Sequence, residues 1–191
     1  MIQYKRVRDV KQPTRGNAHK DEMFGLVDRS AGIDFYVPNN DIVSEFRTKL
    51  EWSNPASVEF HDYDNDYFLL KGHSHVMIPS GITCNLQDHD GFLYSDELAL
   101  ALIAFNKSGV ASKRQLDVAA TVIDEDFQGE LHISLTNTSP DSQLIFYGEK
   151  IVQFVLVPVM LTEWQEVKND ENLFKSTSSR GQGSFGSTGQ F

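Results

Sequence analysis

Apolar and polar positions along this chain change places in short runs, not at helical intervals. Residues 32–37, 67–70, 75–78, 81–86, 98–105, 119–123, 131–136, 143–146 and 151–159 form apolar or alternating stretches of strand length. Turn chemistry stands between them: Pro38-Asn39-Asn40, Pro79-Ser80-Gly81, Asp90-Gly91, residues 137–141 and Tyr147-Gly148. Many short strands punctuated in this way predict an all-β sandwich, barrel or jelly roll. One stretch, 40–52, places Ile42, Val43, Phe46 and Leu50 near helical spacing and predicts a short helix. The following residues, 53–66, are polar and acidic (Glu59, Asp62, Asp64, Asp66) and predict a surface loop. No internal repeat is present.

Composition narrows the class. With 191 residues, 40% of them hydrophobic, the chain can build one ordinary core. No apolar run approaches the roughly 20 residues of a membrane span. The longest, 151–161, is interrupted by Gln153 and Pro158 and reads as a buried strand. Residues 1–8 carry Lys5, Arg6 and Arg8 with no apolar segment behind them, so no secretory signal is expected. Cys84 is the only cysteine, which rules out an internal disulfide, fits a cytoplasmic setting and predicts a small buried apolar side chain. A formal net charge of −10 argues against a nucleic-acid-coating protein. It does not argue against a nucleotide, because a few local donors and a divalent cation can hold a triphosphate on an acidic protein.

The end of the chain changes character. Strand patterning stops near Lys168, which divides a body, 1–168, from a polar tail, 169–191. Gly181-x-Gly183-x-x-Gly186 matches the dinucleotide-binding pattern, but that pattern must follow a strand and open a helix. Here nothing follows it, and Gly186-Ser187-Thr188 lacks the lysine of a phosphate-binding Walker loop. A pure linker needs neither Arg180 nor Phe185. An arm bearing glycine N–H groups, one guanidinium and one aromatic face could close over a nucleotide and exclude water.

Four other segments carry candidate chemistry. Asn106-Lys107-Ser108-Gly109 follows an apolar strand directly and could cradle a phosphate, or form an ordinary polar turn. The acidic run 124–130 reads equally as a solvated turn or as the source of a water-orienting carboxylate. Asp34 sits within an apolar strand and needs a partner, either backbone N–H groups or a ligand. His73 and His75 could share one strand face, but two histidines without a third ligand make a poor metal site.

In order and spacing these segments resemble the trimeric dUTPase family. The residues that carry the resemblance are Ala31-Gly-Ile-Asp-Phe-Tyr36, Asn106-Lys-Ser-Gly-Val-Ala-Ser-Lys113, Val122-Ile-Asp-Glu-Asp-Phe-Gln-Gly-Glu130, Gly148-Glu-Lys-Ile-Val-Gln153 and Arg180-Gly-Gln-Gly-Ser-Phe-Gly-Ser-Thr-Gly189. They match all five family motifs, the last being the most specific. The similarity runs from about Ser30 onward; 39–72, and also 85–97, look like insertions relative to compact members.

The resemblance implies a dUTPase-like β-clip jelly roll that forms a homotrimer with sites at subunit interfaces. It implies hydrolysis of dUTP to dUMP and pyrophosphate with Mg2+. By this likeness Asp124 activates the water that attacks the α-phosphorus, and Phe127, where the family usually has Tyr, stacks on the deoxyribose. Lys107, Ser108 and Gly109 contact the phosphate chain, and Gln153 hydrogen-bonds near the α-phosphate. Arg180 holds the γ-phosphate, Phe185 covers the base, Gly186 belongs to the substrate-binding arm, and Ser187 and Thr188 add phosphate contacts. Asp34 supports the site through metal-bound water. The tail becomes an arm closing over a neighbouring site, and the insertion 39–72 becomes a surface for an unidentified protein partner.

The sequence also departs from the family. Lys107 replaces the usual Arg and loses its bidentate fork, and Asn106 replaces the usual Pro. Ala119 and Thr121 stand where family members generally have glycine, in the hairpin whose backbone reads uracil. Base preference is therefore open to a related pyrimidine deoxynucleotide. Three rival readings remain: a dCTP deaminase of the same fold, which would need a glutamate at the exocyclic amine; a non-catalytic regulatory or binding protein; and a structural jelly-roll protein, which leaves the tail unexplained. Retention of both Asp124 and Arg180 weighs against a decayed site.

Overall fold

The longest apolar stretches of the sequence meet as the two longest strands. The computed structural model describes residues 2–16, 30–39, 55–60, 66–87, 97–168, 173–174, 176 and 178–179. In it β8 (Leu98–Asn106) and β13 (Lys150–Met160) pair antiparallel from Val152↔Asn106 to Met160↔Leu98. Nine-residue pairing of two such strands supplies the platform on which the rest is placed. β10 (Val122–Ile123) adds to the free side of β8; β3 (Ile33–Tyr36) and then β2 (Thr14–Arg15) add beyond β13. β3 leaves β13 at Phe154, so Pro158, which has no N–H to donate, falls where β13 has only one neighbour.

Three smaller antiparallel sheets complete the body. β6 (His75–Pro79), β11 (His132–Asn137) and β9 (Leu116–Ala119) form one, with β11 central. β12 (Gln143–Phe146), β5 (Tyr67–Leu70) and β4 (Val58–Phe60) form another. The N-terminal β1 (Gln3–Arg6) pairs with β7 (Ile82–Asn85). Inward faces of these sheets bury Phe35, Phe68, Leu70, Ile78, Ile133, Leu135 and Phe154 in one core, and burying each such side chain contributes about 1.5–3 kcal/mol. The core is sealed by a polar knot. Buried Asn137 donates to the carbonyls of Leu70 (3.1 Å), Lys71 (3.0 Å) and Asp141 (2.8 Å), and its Oδ1 accepts from the Ser139 N–H (3.0 Å) and hydroxyl (2.8 Å). Its amide group is thus satisfied inside the core.

The expected strands 67–70 and 143–146 appear with the same bounds, and the other apolar runs appear within about two residues of theirs, with one exception. The run 119–123 is not one strand: it breaks at Ala120, whose φ of +50° is left-handed, so that β9 joins one sheet and β10 another. The expected loop 53–66 contains a 3-10 turn, Pro55–Ser57, and strand β4, which gains its order by pairing with β5. His73 and His75 do not share a strand face, because His73 lies in a turn at φ +54°. The expected helix at 40–52 lies outside the described residues.

One helix was not expected from the sequence: α1 (Ser108–Arg114) fills the Asn106-to-Gln115 connection. It ends at Gln115, a left-handed residue whose N–H returns to the Ala111 carbonyl. No helix among the described residues is long and apolar enough to cross a membrane. The chain divides into two units at Leu161 and Thr162, and the described residues of the second carry no helix or strand.

Candidate active site

Two groups of the expected residues stand out, and they lie on different parts of β8. The first gathers around Asp34 on β3. Asp34 is buried, with its side chain only 4% exposed, and faces Gln153 across the β3–β13 ladder. The Lys107 ammonium donates to its Oδ1, and Lys150 Nζ lies 3.2 Å from Oδ2. The partner that the sequence demanded for this carboxylate is therefore a pair of ammonium groups. Burial alone would lower the Lys150 pKa, but the hydrogen bond and charge of Asp34, with help from Tyr36, hold it above the usual lysine value.

Lys107 stands at the N-cap of α1, so its backbone aims Ser108 and Gly109 outward, both exposed, with open space where a Gly109 Cβ would project. Gln153 Nε2 donates to the Asn106 carbonyl at 2.9 Å. Its side chain runs over Gly32, where a Cβ would lie 2.2 Å from Gln153 Oε1, and only glycine leaves that path open. The far end of α1 is tied to the same region. Arg114 donates to Glu149 Oε1 and to the Leu144 carbonyl. Asn106, the departure from the family's proline, ties β8 to β9. Its Nδ2 donates to Asp117 Oδ1 at 2.8 Å, and its Oδ1 accepts the Val118 N–H at 2.7 Å. Proline could make neither bond.

The second group lies on the loop 124–130. Asp124 is exposed directly after β10, and its carboxylate has no hydrogen bond or ion pair among the described residues. Its carbonyl accepts the Phe127 N–H at 3.2 Å, which turns the chain so that the Phe127 ring returns to the surface, 46% exposed. That ring lies over Gly129, where a Cβ would stand 2.6 Å from Phe127 Cζ. Asp124, Phe127, Ala120, Val122, Met77 and His132 help line a cavity of about 460 Å³, walled mostly by apolar atoms. Apolar walls with one free carboxylate at the rim suit a planar ring or sugar beside a polar reacting centre.

Ala119 ends β9 and is exposed, while the Thr121 carbonyl accepts the Ala104 N–H at 2.7 Å. Neither has positive φ; the strained position is Ala120 between them. Ala119 and Thr121 therefore need no glycine for their own backbone conformation. They do not form a hairpin with each other's strands, because β9 and β10 belong to different sheets.

The cavity beside Asp124 and Phe127 is not lined by Lys107, Ser108, Gly109 or Gln153. Ile123 sits opposite Leu102 on β8, and Lys107 lies farther along the same strand direction. The span from Leu102 to Lys107 is about 17 Å at ~3.3 Å per residue. Arg180, Phe185, Gly186, Ser187 and Thr188 lie outside the described residues. Lys150 and Gly129 contact the expected residues Asp34 and Phe127 but were not singled out from the sequence, although both stand within the segments that carry the family resemblance; a cation beside a buried carboxylate and a glycine beside an exposed aromatic were the available signals. Among the described residues no group of three or more His, Cys, Asp or Glu could hold a metal by itself.

The described body is thus a mostly-β fold with one short helix, an exposed carboxylate loop and a separate lysine- and glutamine-bearing strand end. The dUTPase family model matches residues 51–189. The chain belongs to the dUTPase family. It is 31% identical over 140 residues to the deoxyuridine 5'-triphosphate nucleotidohydrolase of Escherichia coli, covering 72% of this chain and 83% of that one. With the enzyme of the same name from Erwinia tasmaniensis it shares 28% over 167 residues, 86% of this chain and 94% of that one. Among solved structures, the dUTPase of Staphylococcus bacteriophage 80alpha with dUPNHPP superposes with a TM-score of 0.64 at 20% identity, covering 99% of this chain and 98% of that one. That last likeness confirms the dUTPase-like β jelly roll.

Proposed function

We propose that this chain is a dUTP diphosphatase in which Asp124 orients and deprotonates the water that attacks the α-phosphorus of dUTP, giving dUMP and pyrophosphate. The observation that carries this reading is the Asp124 carboxylate itself: exposed, without a partner among the described residues, and at the rim of an apolar cavity beside Phe127. A carboxylate held in an ion pair is committed to its partner; this one has no such partner among the described residues and can orient a water. Phe127 would stack on the deoxyribose and leave no room for a 2′-hydroxyl. Ser108 and Gly109 would meet the phosphates at the exposed start of α1, with Lys107 and Gln153 beside them.

The donor set fits magnesium carried in by the triphosphate. Magnesium commonly binds through substrate phosphates, waters and one or two carboxylates, not through an all-protein cage. When bound across the phosphates it would offset the charge that builds on departing pyrophosphate. Asp34 has both oxygens on lysines, so any support it gives such a cation would pass through water. Arg180 would hold the γ-phosphate, Phe185 would cover the base, Gly186 would belong to the substrate-binding arm, and Ser187 and Thr188 would add phosphate contacts.

Separation of the two groups along β8 supports a site assembled from several copies, as a homotrimer with residues 169–191 closing over a neighbour's site would provide. Phe68 and Leu70 of the segment 39–72 lie in the core, so a protein partner would meet exposed positions of that segment such as Glu59. The Asp124→Asn variant tests the reading. It should bind dUTP as the parent does and lose about 10²–10⁴-fold in pyrophosphate release, whereas parental turnover would refute the assignment. The same assay across dUTP, dTTP, dCTP and 5-substituted pyrimidine nucleotides reads the base preference left open by Ala119 and Thr121, with ammonia release from dCTP as the mark of a deaminase.

A further inference from the structure

The loop that carries Asp124 is tied down by its other carboxylates. Near its start Glu125 Oε1 accepts the Leu100 N–H of β8 at 3.0 Å. At its end Glu130 takes three donors. Oε1 accepts Arg8 Nε at 2.7 Å and the Gly81 N–H at 2.7 Å, and Oε2 accepts Arg8 Nη2 at 2.8 Å. The side chains of Arg8 and Glu130 are only 15% and 16% exposed. A fork-to-fork pair of this kind fixes the plane of the carboxylate as well as its position.

The surrounding backbone makes the tie rigid. Ser80 N–H donates to the Leu131 carbonyl at 2.9 Å, Leu131 N–H to the Ile82 carbonyl at 2.8 Å, and Val7 N–H to the Gly81 carbonyl at 2.8 Å. Gly81 adopts φ +73°, and a Cβ there would lie 2.8 Å from Val10 Cγ1, so the turn fits only glycine. N-terminal segment, 79–82 turn and loop end thus form one knot. Arg8 enters it from 122 residues away and lies outside the residues that the family model matches.

We propose that Arg8, acting through Glu130, is a positioning residue that holds the 124–130 loop so that Asp124 and Phe127 face the reacting nucleotide. The inference rests on Asp124 being the water-activating carboxylate. Glu130 follows Gly129, and the Phe127 ring lies on Gly129, so any slide of the loop end is passed directly to that ring. From the other side Asp124 is held through β10 and the neighbouring Glu125 contact. Arg8 forks onto Glu130, whereas Asp34 is held by Lys107 and Lys150, so loss of Arg8 should leave the phosphate contacts in place.

The test is steady-state pyrophosphate release from dUTP with magnesium by the parent and by Arg8→Ala, Arg8→Lys and Glu130→Gln, with thermal unfolding of each. Arg8→Ala should lower kcat about 10–100-fold with KM changed by less than about 3-fold, as misplacement of a catalytic group does. Arg8→Lys, which keeps charge without the fork, should fall between the two, and free guanidinium should restore part of the Arg8→Ala loss. A folded Arg8→Ala with kcat within about 2-fold of the parent, or a loss that only tracks the folded fraction, overturns the proposal. Should Arg8→Ala fail to fold, Glu130→Gln decides by the same split, since it retains an acceptor for Gly81. A parent that releases no pyrophosphate would overturn the reading of Asp124 as well, and so is distinguishable from failure of the clamp alone.

Discussion

Lys107 donates across 73 residues of sequence to the buried carboxylate of Asp34, while Lys150 closes on the other oxygen of the same group at 3.2 Å. One carboxylate thus organises two cations drawn from two different segments. Removal of its charge alone, by Asp34→Asn, leaves both ammonium groups without a counter-ion. Breaking a buried pair costs about 3–5 kcal/mol. Here the lysines retain 24% and 35% exposure, and water recovers part of that cost, so about 1–3 kcal/mol is expected from urea unfolding. Because Lys107 also begins α1, kcat/KM for dUTP should fall by at least about 10-fold. An unchanged Asp34→Asn enzyme would show that Lys107 is held by something else.

Ala120 offers the opposite kind of prediction. Its φ of +50° is left-handed, a conformation that costs a β-carbon-bearing residue about 1 kcal/mol. It persists because the chain must step there from the β9 sheet to the β10 sheet. Ala120→Gly should therefore raise the melting temperature by about 2–4 °C at matched protein concentration, and Ala120→Val should lower it. A melting temperature that falls in Ala120→Gly would mean that the added freedom of the unfolded chain outweighs the relief of strain.

Gly129 is predicted to matter for the site and not for the fold. It is exposed, yet a Cβ there would stand 2.6 Å from Phe127 Cζ and 3.1 Å from Cε2, so the ring would have to move. Gly129→Ala should reduce kcat/KM about 10–100-fold while leaving urea unfolding within about 0.5 kcal/mol of the parent. An equal effect of Gly129→Ala in a Phe127→Ala background would disprove transmission through the ring.

How far such relationships were legible depended on their range in sequence. Strands β5 and β12 could be read directly, because YFLL and QLIF are apolar, bounded by turn residues and require no distant information. β1 could not: QYKR is fully exposed and is a strand only because Ile82–Asn85 lies beside it. SGVASKR buries no residue and has no apolar stripe, so α1 was invisible to periodicity and is held by its Gln115 terminus and by Arg114 at Glu149. Asp34 could be read as a carboxylate needing a partner, but its partners lie in two other segments, and burial cost alone cannot choose among the chain's lysines. Asp124 and Phe127 were legible through family resemblance. Arg8 was not, since its role follows only from where the N-terminal segment is folded.

Glu130 supplies a pH dependence of known sign. Burial pushes its carboxyl pKa up, but the hydrogen bonds from Arg8 and Gly81, and the charges of Arg8 and His132, outweigh this and hold it below the usual carboxylate value. The folded protein therefore binds this proton less tightly than the unfolded chain does. Stability from the ionised group is fully present above the unfolded value, about 4.3, and is lost as pH falls through the lower folded value. Glu130→Gln, which cannot ionise, should be less stable than the parent at pH 7 by on the order of 1 kcal/mol, after allowance for partial solvent screening. That difference should shrink as pH drops below about 4.3, measured by urea unfolding of both proteins over the acid range. A gap that stays constant or widens toward acid would mean that the amide's altered packing, and not the charge on Glu130, accounts for the lost stability.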